Sequence, residues 1–456
     1  MTAPRLRVRS VSLFERPVTL RLPFRFGAAT VTRCPQAFVL AVVEVDGRTF
    51  EGASAELMVP KWFDKNPALT HEQNFEQLRE SLRAAREAYA GAGGQASAFA
   101  LHQAASEQAI AAAMARGLPR LAAQMGPAQI DKAVADAVLR AAGLGWVDGL
   151  HAGVLGEPWS ATLPLVKPGT VTLRHTVGLA DRLTSADEGA HPQDGLPTTL
   201  QDAIAHYGLH HFKLKLSGQP EADIERLSRI ATVLDAQAGD YRVTLDGNET
   251  FADAQALGDF WQSLTKAPTV QALLQRTLLL EQPIARRVAL EQSIAGLGIQ
   301  VPVILDESDD HDEVFERGIA LGYRGISSKA CKGIYRSLRS AARVAREPQR
   351  LLLSGEDLTC QAGLAVQQDT LLAASLGVTH IERNGHHYVD GFGIAPAEEA
   401  QAFASAHPGF YESSKEHSAG RVHLAVQGGQ LNLATLHCPG FATAAIPRWD
   451  SLQPIH

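Results

Sequence analysis

Cysteine is scarce in this chain: four residues in 456, at Cys34, Cys331, Cys360 and Cys438, with no Cys-x-x-Cys spacing. That excludes a disulfide scaffold and a cysteine-ligated zinc, and it fits a reducing compartment. Basic residues are not in excess either. Lys and Arg number 42 against 49 Asp and Glu, and the resulting net charge of −7 disfavours a nucleic-acid partner, whose phosphates demand a basic surface. Long apolar runs are missing. No stretch approaches the roughly 18–20 uninterrupted apolar residues of a membrane span. Glu15 and Arg16 interrupt the first apolar segment before it reaches signal-peptide length, so a cytoplasmic location is expected. With 39 Gly and 23 Pro the chain is neither collagenous nor low in complexity. Its 45% hydrophobic and 20% charged residues suit a globular protein of two or three domains.

What is present divides into three parts. Residues 1–158 read as an α+β domain. Leu6–Phe14, Val18–Leu22, Ala37–Val45 and Thr49–Ala55 are candidate strands, with a turn at Asp46-Gly47 and a polar loop between 23 and 35. Helical spacing follows, with Phe75, Leu78 and Leu82 on one face. In residues 159–408 eight short apolar runs alternate with amphipathic stretches, starting near Val171, His210, Tyr241, Thr277, Val301, Tyr323, Arg350 and Gly377. Eight strand–helix alternations predict an α/β fold, a (β/α) TIM-type barrel, with the first part as its cap. Residues 409–456 do not read as another unit and are expected to return to the capping domain.

Barrel chemistry sits at the C-terminal ends of the strands. Run two ends in Lys213-Leu214-Lys215, run three in Asp246, run four in Glu281, run five in Asp306 and run six in Lys329. Three converging carboxylates repel unless a cation neutralises them, and oxygen ligands suit a hard ion, Mg²⁺ or another such as Mn²⁺. Lysines on either side face each other across the mouth, and a desolvated lysine near a cation can serve as a base. A metal with two opposed lysines is equipment for removing a proton α to a carboxylate through an enediolate.

The ordered set LKLS, LDGNE, LEQPI, LDES and SSKACKG resembles the enolase superfamily, in particular its muconate-lactonising subgroup (the mandelate racemase/muconate lactonising enzyme-like proteins). The resemblance implies Asp246, Glu281 and Asp306 as metal ligands and Lys215 and Lys329 as the two acid/bases. It implies that Lys213 lowers the pKa of Lys215 or binds the substrate carboxylate. Asn248 and Glu307 match the motifs as supporting neighbours. A small-molecule carboxylate is the implied partner; a homo-oligomer is left open.

The sequence departs from two branches of that superfamily. Run seven, LLLSGED, offers no His for the racemase-type His–Asp dyad. Strand eight reads Ile381-Glu382-Arg383-Asn384 where dipeptide epimerases carry Asp-x-Asp. Glu382 is the candidate substrate contact there, and Arg383 disfavours a dipeptide ammonium. The leading expectation is racemisation or epimerisation of an amino-acid or related carboxylate. The alternatives are cycloisomerisation or β-elimination on the same machinery, and, in another class, a non-catalytic barrel retained for binding.

Overall fold

The computed structural model describes residues 2–157, 159–413 and 421–456. Period-two alternation builds its first sheet: Leu20, Leu22, Phe24 and Phe26 are buried while Pro23 and Arg25 face outward. Strand β1 (Leu6–Phe26) therefore runs on to a turn at Gly27-Ala28, and β2 (Ala29–Val45) returns antiparallel to it. The polar loop expected between 23 and 35 is instead the tip of this hairpin, because the alternation continues through Phe24, Phe26 and Val31. Asp46 and Gly47, both with positive φ, close a second tight turn into β3 (Arg48–Leu57).

Four helices cover this sheet: α1 (His71–Gly91), α2 (Ala98–Ala115), the short α3 (Arg120–Ala123) and α4 (Met125–Ala142). Thr70 starts α1 with a capping box, its hydroxyl accepting from Gln73 N–H while the Gln73 side chain accepts from Thr70 N–H. Almost all of α4 is buried, since it lies between the sheet and α1 and α2. Its charged side chains are paired: Lys132 donates to the Ala55 carbonyl at 2.7 Å, and Asp136 accepts from Ala53 and Phe441 N–H.

The barrel strands are β4 (Thr170–Val177), β5 (His211–Lys215), β6 (Arg242–Asp246), β7 (Thr277–Glu281), β8 (Val303–Leu305), β9 (Gly325–Ser328), β10 (Leu352–Gly355) and β11 (His380–Glu382). They pair in parallel and in chain order, and β11 closes on β4. The eight runs read from the sequence each contain one of these strands. Helix Pro220–Gln237 carries the expected apolar face, with Leu227, Ile230 and Leu234 buried.

The C-terminal part contacts both the barrel and the cap, and Phe441 N–H donates to Asp136 of α4. It first forms the pair β12 (Tyr411–Ser413) and β13 (Val422–Leu424), then lays β14 (Gln430–Asn432) antiparallel on β4 of the barrel. Strand β15 (Gln453–Pro454) then pairs with β1 of the first sheet. Among the described residues no helix is long and apolar enough to cross a membrane.

Gly52 of β3 lets α4 approach the sheet. A Cβ there would stand 1.9 Å from the Ala133 carbonyl oxygen and 2.5 Å from Ala137 N, both backbone atoms that cannot swing aside. Gly52→Ala should therefore cost about 1–3 kcal/mol or more, seen as a lower denaturant midpoint for unfolding.

Candidate active site

The hairpin tip of β1 and β2 lies over the C-terminal ends of the barrel strands, with Phe24 and Phe26 lining a cavity together with Lys213, Lys215 and Lys329. Phe24 packs on Tyr388 with ring centroids 4.5 Å apart, and Leu20 bridges to Val389. Arg21 anchors it, pairing with Asp194 at 2.6 Å and donating to the His387 carbonyl at 2.7 Å.

Register sets the site beneath. Lys215 is the partner of Asp246, and Asp246 of Glu281, across β5, β6 and β7. Asp306 and Lys329 follow directly after β8 and β9. Every sequence-predicted site residue is buried here: Lys213, Lys215, Asp246, Glu281, Asp306, Lys329 and Glu382. Lys215 Nζ lies 2.6 Å from Asp246 Oδ2, and Lys329 Nζ lies 2.6 Å from Asp306 Oδ2. Strands β5 and β9 stand four places apart in a ring of eight, so the two lysines enter from opposite walls.

Lys213 is the hub. Its ammonium contacts Glu281 Oε2 at 2.7 Å, Glu356 Oε2 at 2.8 Å, Asp246 Oδ2 at 2.9 Å and Glu382 Oε2 at 3.0 Å. Burial disfavours its charge, but the four carboxylates outweigh burial and hold its pKa well above the ordinary lysine value. Burial also opposes the charge of Lys329, and Asp306 more than reverses that, so its pKa too is raised. Burial, then Asp246 and Glu356, push the Glu281 carboxyl well upward, whereas Lys329 and Lys332 overcome burial to hold Asp306 low. In the absence of a cation, the carboxylate partner of Lys329 favours its ammonium.

Glu356, beside β10, was not singled out in the sequence. It pairs with Lys213 and with the buried Arg174 of β4. Its signal was the polar end of run seven, where attention to a missing His hid the Glu. Glu382 lines the cavity, but its oxygens already accept from Thr176, Asn384, Lys213 and Asp357 N–H. Asn248 donates to Glu307 at 3.1 Å. His386 and His387 are buried beside His175 rather than in the cavity lining, and Cys331 is a buried thiol whose pKa burial pushes well up.

The residues fit a hard divalent cation in their chemistry. Glu281 is fully buried, its Oε1 has no partner and its Oε2 has only the Lys213 ammonium at 2.7 Å, while neighbouring carboxylates disfavour its charge. Among the described residues, no three His, Cys, Asp or Glu side chains stand in a ready-made metal-binding arrangement, because lysine ammoniums fill the space between the carboxylates. The cavity is lined by Phe24, Phe26, Trp62, Lys213, Lys215 and Lys329 among others, and its volume is about 20 Å³, room for roughly one water. Phe26 and Asn248 also line a neighbouring cleft of about 810 Å³, rimmed by Arg25, Lys61 and Lys65.

Solved structures share this architecture over nearly the whole chain. A dipeptide epimerase from Enterococcus faecalis, solved with Mg and the dipeptide L-Leu-L-Tyr, matches at a TM-score of 0.58 and 17% identity, covering 93% of this chain and 100% of that one. The fold is that of the mandelate racemase/muconate lactonizing proteins. One such protein from Sorangium cellulosum matches at 0.59 and 19% identity, covering 96% of this chain and 98% of that one. An N-succinyl Arg/Lys racemase from Bacillus cereus matches at 0.57 and 16%, covering 83% and 87% respectively. No protein-family model and no curated protein sequence matches the chain.

Lys213→Met would leave four buried carboxylates without their shared cation. We expect a loss of about 3–5 kcal/mol in unfolding free energy, measured by chemical denaturation. Glu356→Gln, which leaves three carboxylates on the ammonium, should cost less.

Proposed function

We propose that this protein is an enzyme of the enolase superfamily that removes a proton α to a carboxylate, with racemisation or epimerisation of an amino-acid derivative as its reaction. The observation that carries this reading is the entry of Lys215 and Lys329 into one cavity from opposite strands, each beside a carboxylate of a three-carboxylate group. Asp246, Glu281 and Asp306 would hold Mg²⁺ or Mn²⁺. The cation, when bound, would stabilise negative charge on the substrate carboxylate and relieve the repulsion among its three ligands. Structural neighbours named as an epimerase and a racemase, one of them bound to Mg, support the reading.

The division of labour follows from position. Lys215 takes or returns the α-proton on one face of the substrate and Lys329 on the other. Lys213, fixed by four carboxylates, stays charged and holds Asp246 and Glu281 in place. Phe24, Phe26 and Trp62 exclude water from the lysines. The filled valence of Glu382 leaves no lone pair for a substrate ammonium, which favours an N-acylated substrate over one with a free amine. Cycloisomerisation is the second reading, supported by the fold shared with a muconate lactonizing enzyme of Pseudomonas fluorescens at a TM-score of 0.54.

The test is deuterium exchange in D₂O with Mg²⁺ over N-acylamino acids, dipeptides and hydroxy acids. The wild type should label the α-carbon of both enantiomers of its substrate. A chelator should stop this and added Mg²⁺ restore it. Lys215→Ala and Lys329→Ala should each lower racemisation by about 10²–10⁴-fold, while each still exchanges one enantiomer, with opposite preferences. Full racemisation by Lys329→Ala would refute the two-base assignment. Asp246→Asn, Glu281→Gln and Asp306→Asn should each weaken Mg²⁺ binding in calorimetric titration.

A further inference from the structure

The cap covers the two lysines with different segments. Lys215 Nζ stands 5.8 Å and 5.9 Å from the ring centroids of Phe24 and Phe26, at the hairpin tip. Lys329 Nζ stands 4.2 Å from the ring centroid of Trp62, on the loop after β3. The second contact is the tighter one, within the range where a cation is attracted to the face of an indole. We infer that Trp62 is a positioning residue for Lys329, and that each face of the site has its own aromatic cover carried by a separate part of the cap. This rests on the two-lysine reading above.

The Trp62 loop is built to hold this position. Arg286 of the barrel donates to the Trp62 carbonyl at 2.8 Å and the Phe63 carbonyl at 3.1 Å. The same guanidinium is held by both oxygens of Glu249, each at 2.8 Å. Lys65, from the loop itself, reaches back to Glu249 at 2.7 Å. Phe63 packs edge-on against the indole, with centroids 4.8 Å apart. Lys61 takes a positive φ of 64° and braces the loop by donating to the Asn66 carbonyl at 2.7 Å and the Leu69 carbonyl. The indole is 3% exposed, lines the cavity and has an Nε1–H without a protein partner.

The physical need is clear from the side chain. A lysine has four rotatable bonds, and a proton transfer loses rate steeply when the donor is misplaced by an ångström. Asp306 fixes the Lys329 ammonium at one point only; the indole face supplies the wall that stops it from swinging.

Two measurements test this. The first needs no substrate: the five indole N–H resonances are recorded by NMR, with Trp62 assigned through Trp62→Phe. Lys329→Met should shift the Trp62 resonance and Lys215→Met should leave it nearly in place. The second uses the acid found by the exchange screen, with the enantiomer served by each lysine fixed by the alanine variants. Trp62→Leu should slow exchange on the Lys329 face about tenfold and change the Lys215 face less than twofold. Trp62→Phe should restore most of the loss, and Phe24→Leu should produce the opposite ratio. Equal slowing of both faces by Trp62→Leu, or an indole resonance blind to Lys329→Met, overturns the inference. A wild type that exchanges none of the acids sinks the reaction instead, and the indole resonance still decides the contact.

Discussion

One buried ammonium organises the barrel mouth. Lys213 is 1% exposed and touches carboxylates from four strand ends: Asp246, Glu281, Glu356 and Glu382. A lone charge at such a depth is prohibitive, and so are four like charges without it. Each therefore requires the other. The same dependence fixes where β6, β7, β10 and β11 can end relative to β5, since only one register brings their acids to a single point. Arg174 of β4 extends the arrangement through Glu356, so six of the eight strands are tied by charge as well as by backbone. Such a hub contributes more to uniqueness of arrangement than to net stability, because desolvation consumes much of the Coulomb gain.

The barrel was legible because its strands are short, apolar and end in polar residues, and because Lys215, Asp246, Glu281, Asp306 and Lys329 fall at those ends in order. What stayed hidden was decided by tertiary contact. The hairpin tip carries Pro23, Arg25 and Gly27, so its composition reads as loop while its alternation reads as strand. Run seven ends without a His, and nothing in its sequence shows that Glu356 pairs with Lys213 and Arg174 from other strands. The placement of β14 on the barrel depends on pairing with β4, which three residues cannot announce. Burial alone would lower a lysine pKa. The partner at 2.6 Å reverses it for Lys329, and partners are invisible in one dimension.

The cap is tied to the barrel by polar clamps, and this bears on access. Arg21 holds the hairpin through Asp194 and the His387 carbonyl, and Arg286 with Glu249 holds the Trp62 loop. With both clamps made, the cavity admits about one water, while the cleft beyond Phe26 measures about 810 Å³. A substrate carboxylate cannot reach the lysines unless one clamp yields. The two clamps share no residue, and the large cleft borders the cavity at Phe26 and Asn248.

Charge in the mouth constrains what enters. Asp246, Glu281, Asp306, Glu356 and Glu382 make five carboxylates, against the four cations Arg174, Lys213, Lys215 and Lys329; Lys332 and Asp309 pair with each other at 2.9 Å. Fully ionised, the group carries one excess negative charge, and a buried net charge is costly. A carboxylate substrate alone would double that excess. With a divalent cation and both Lys215 and Lys329 protonated the group becomes positive by one, and a single carboxylate then neutralises it; with one of these lysines neutral, as a base must be, the cation alone balances the group. Under the proposed function, the cation is therefore the condition for a carboxylate headgroup to occupy this mouth, since without it the acid adds to an excess that is already negative. A substrate with a free ammonium beside its carboxylate would leave the positive charge in place, consistent with a Glu382 whose oxygens are already spent on Thr176, Asn384 and Lys213.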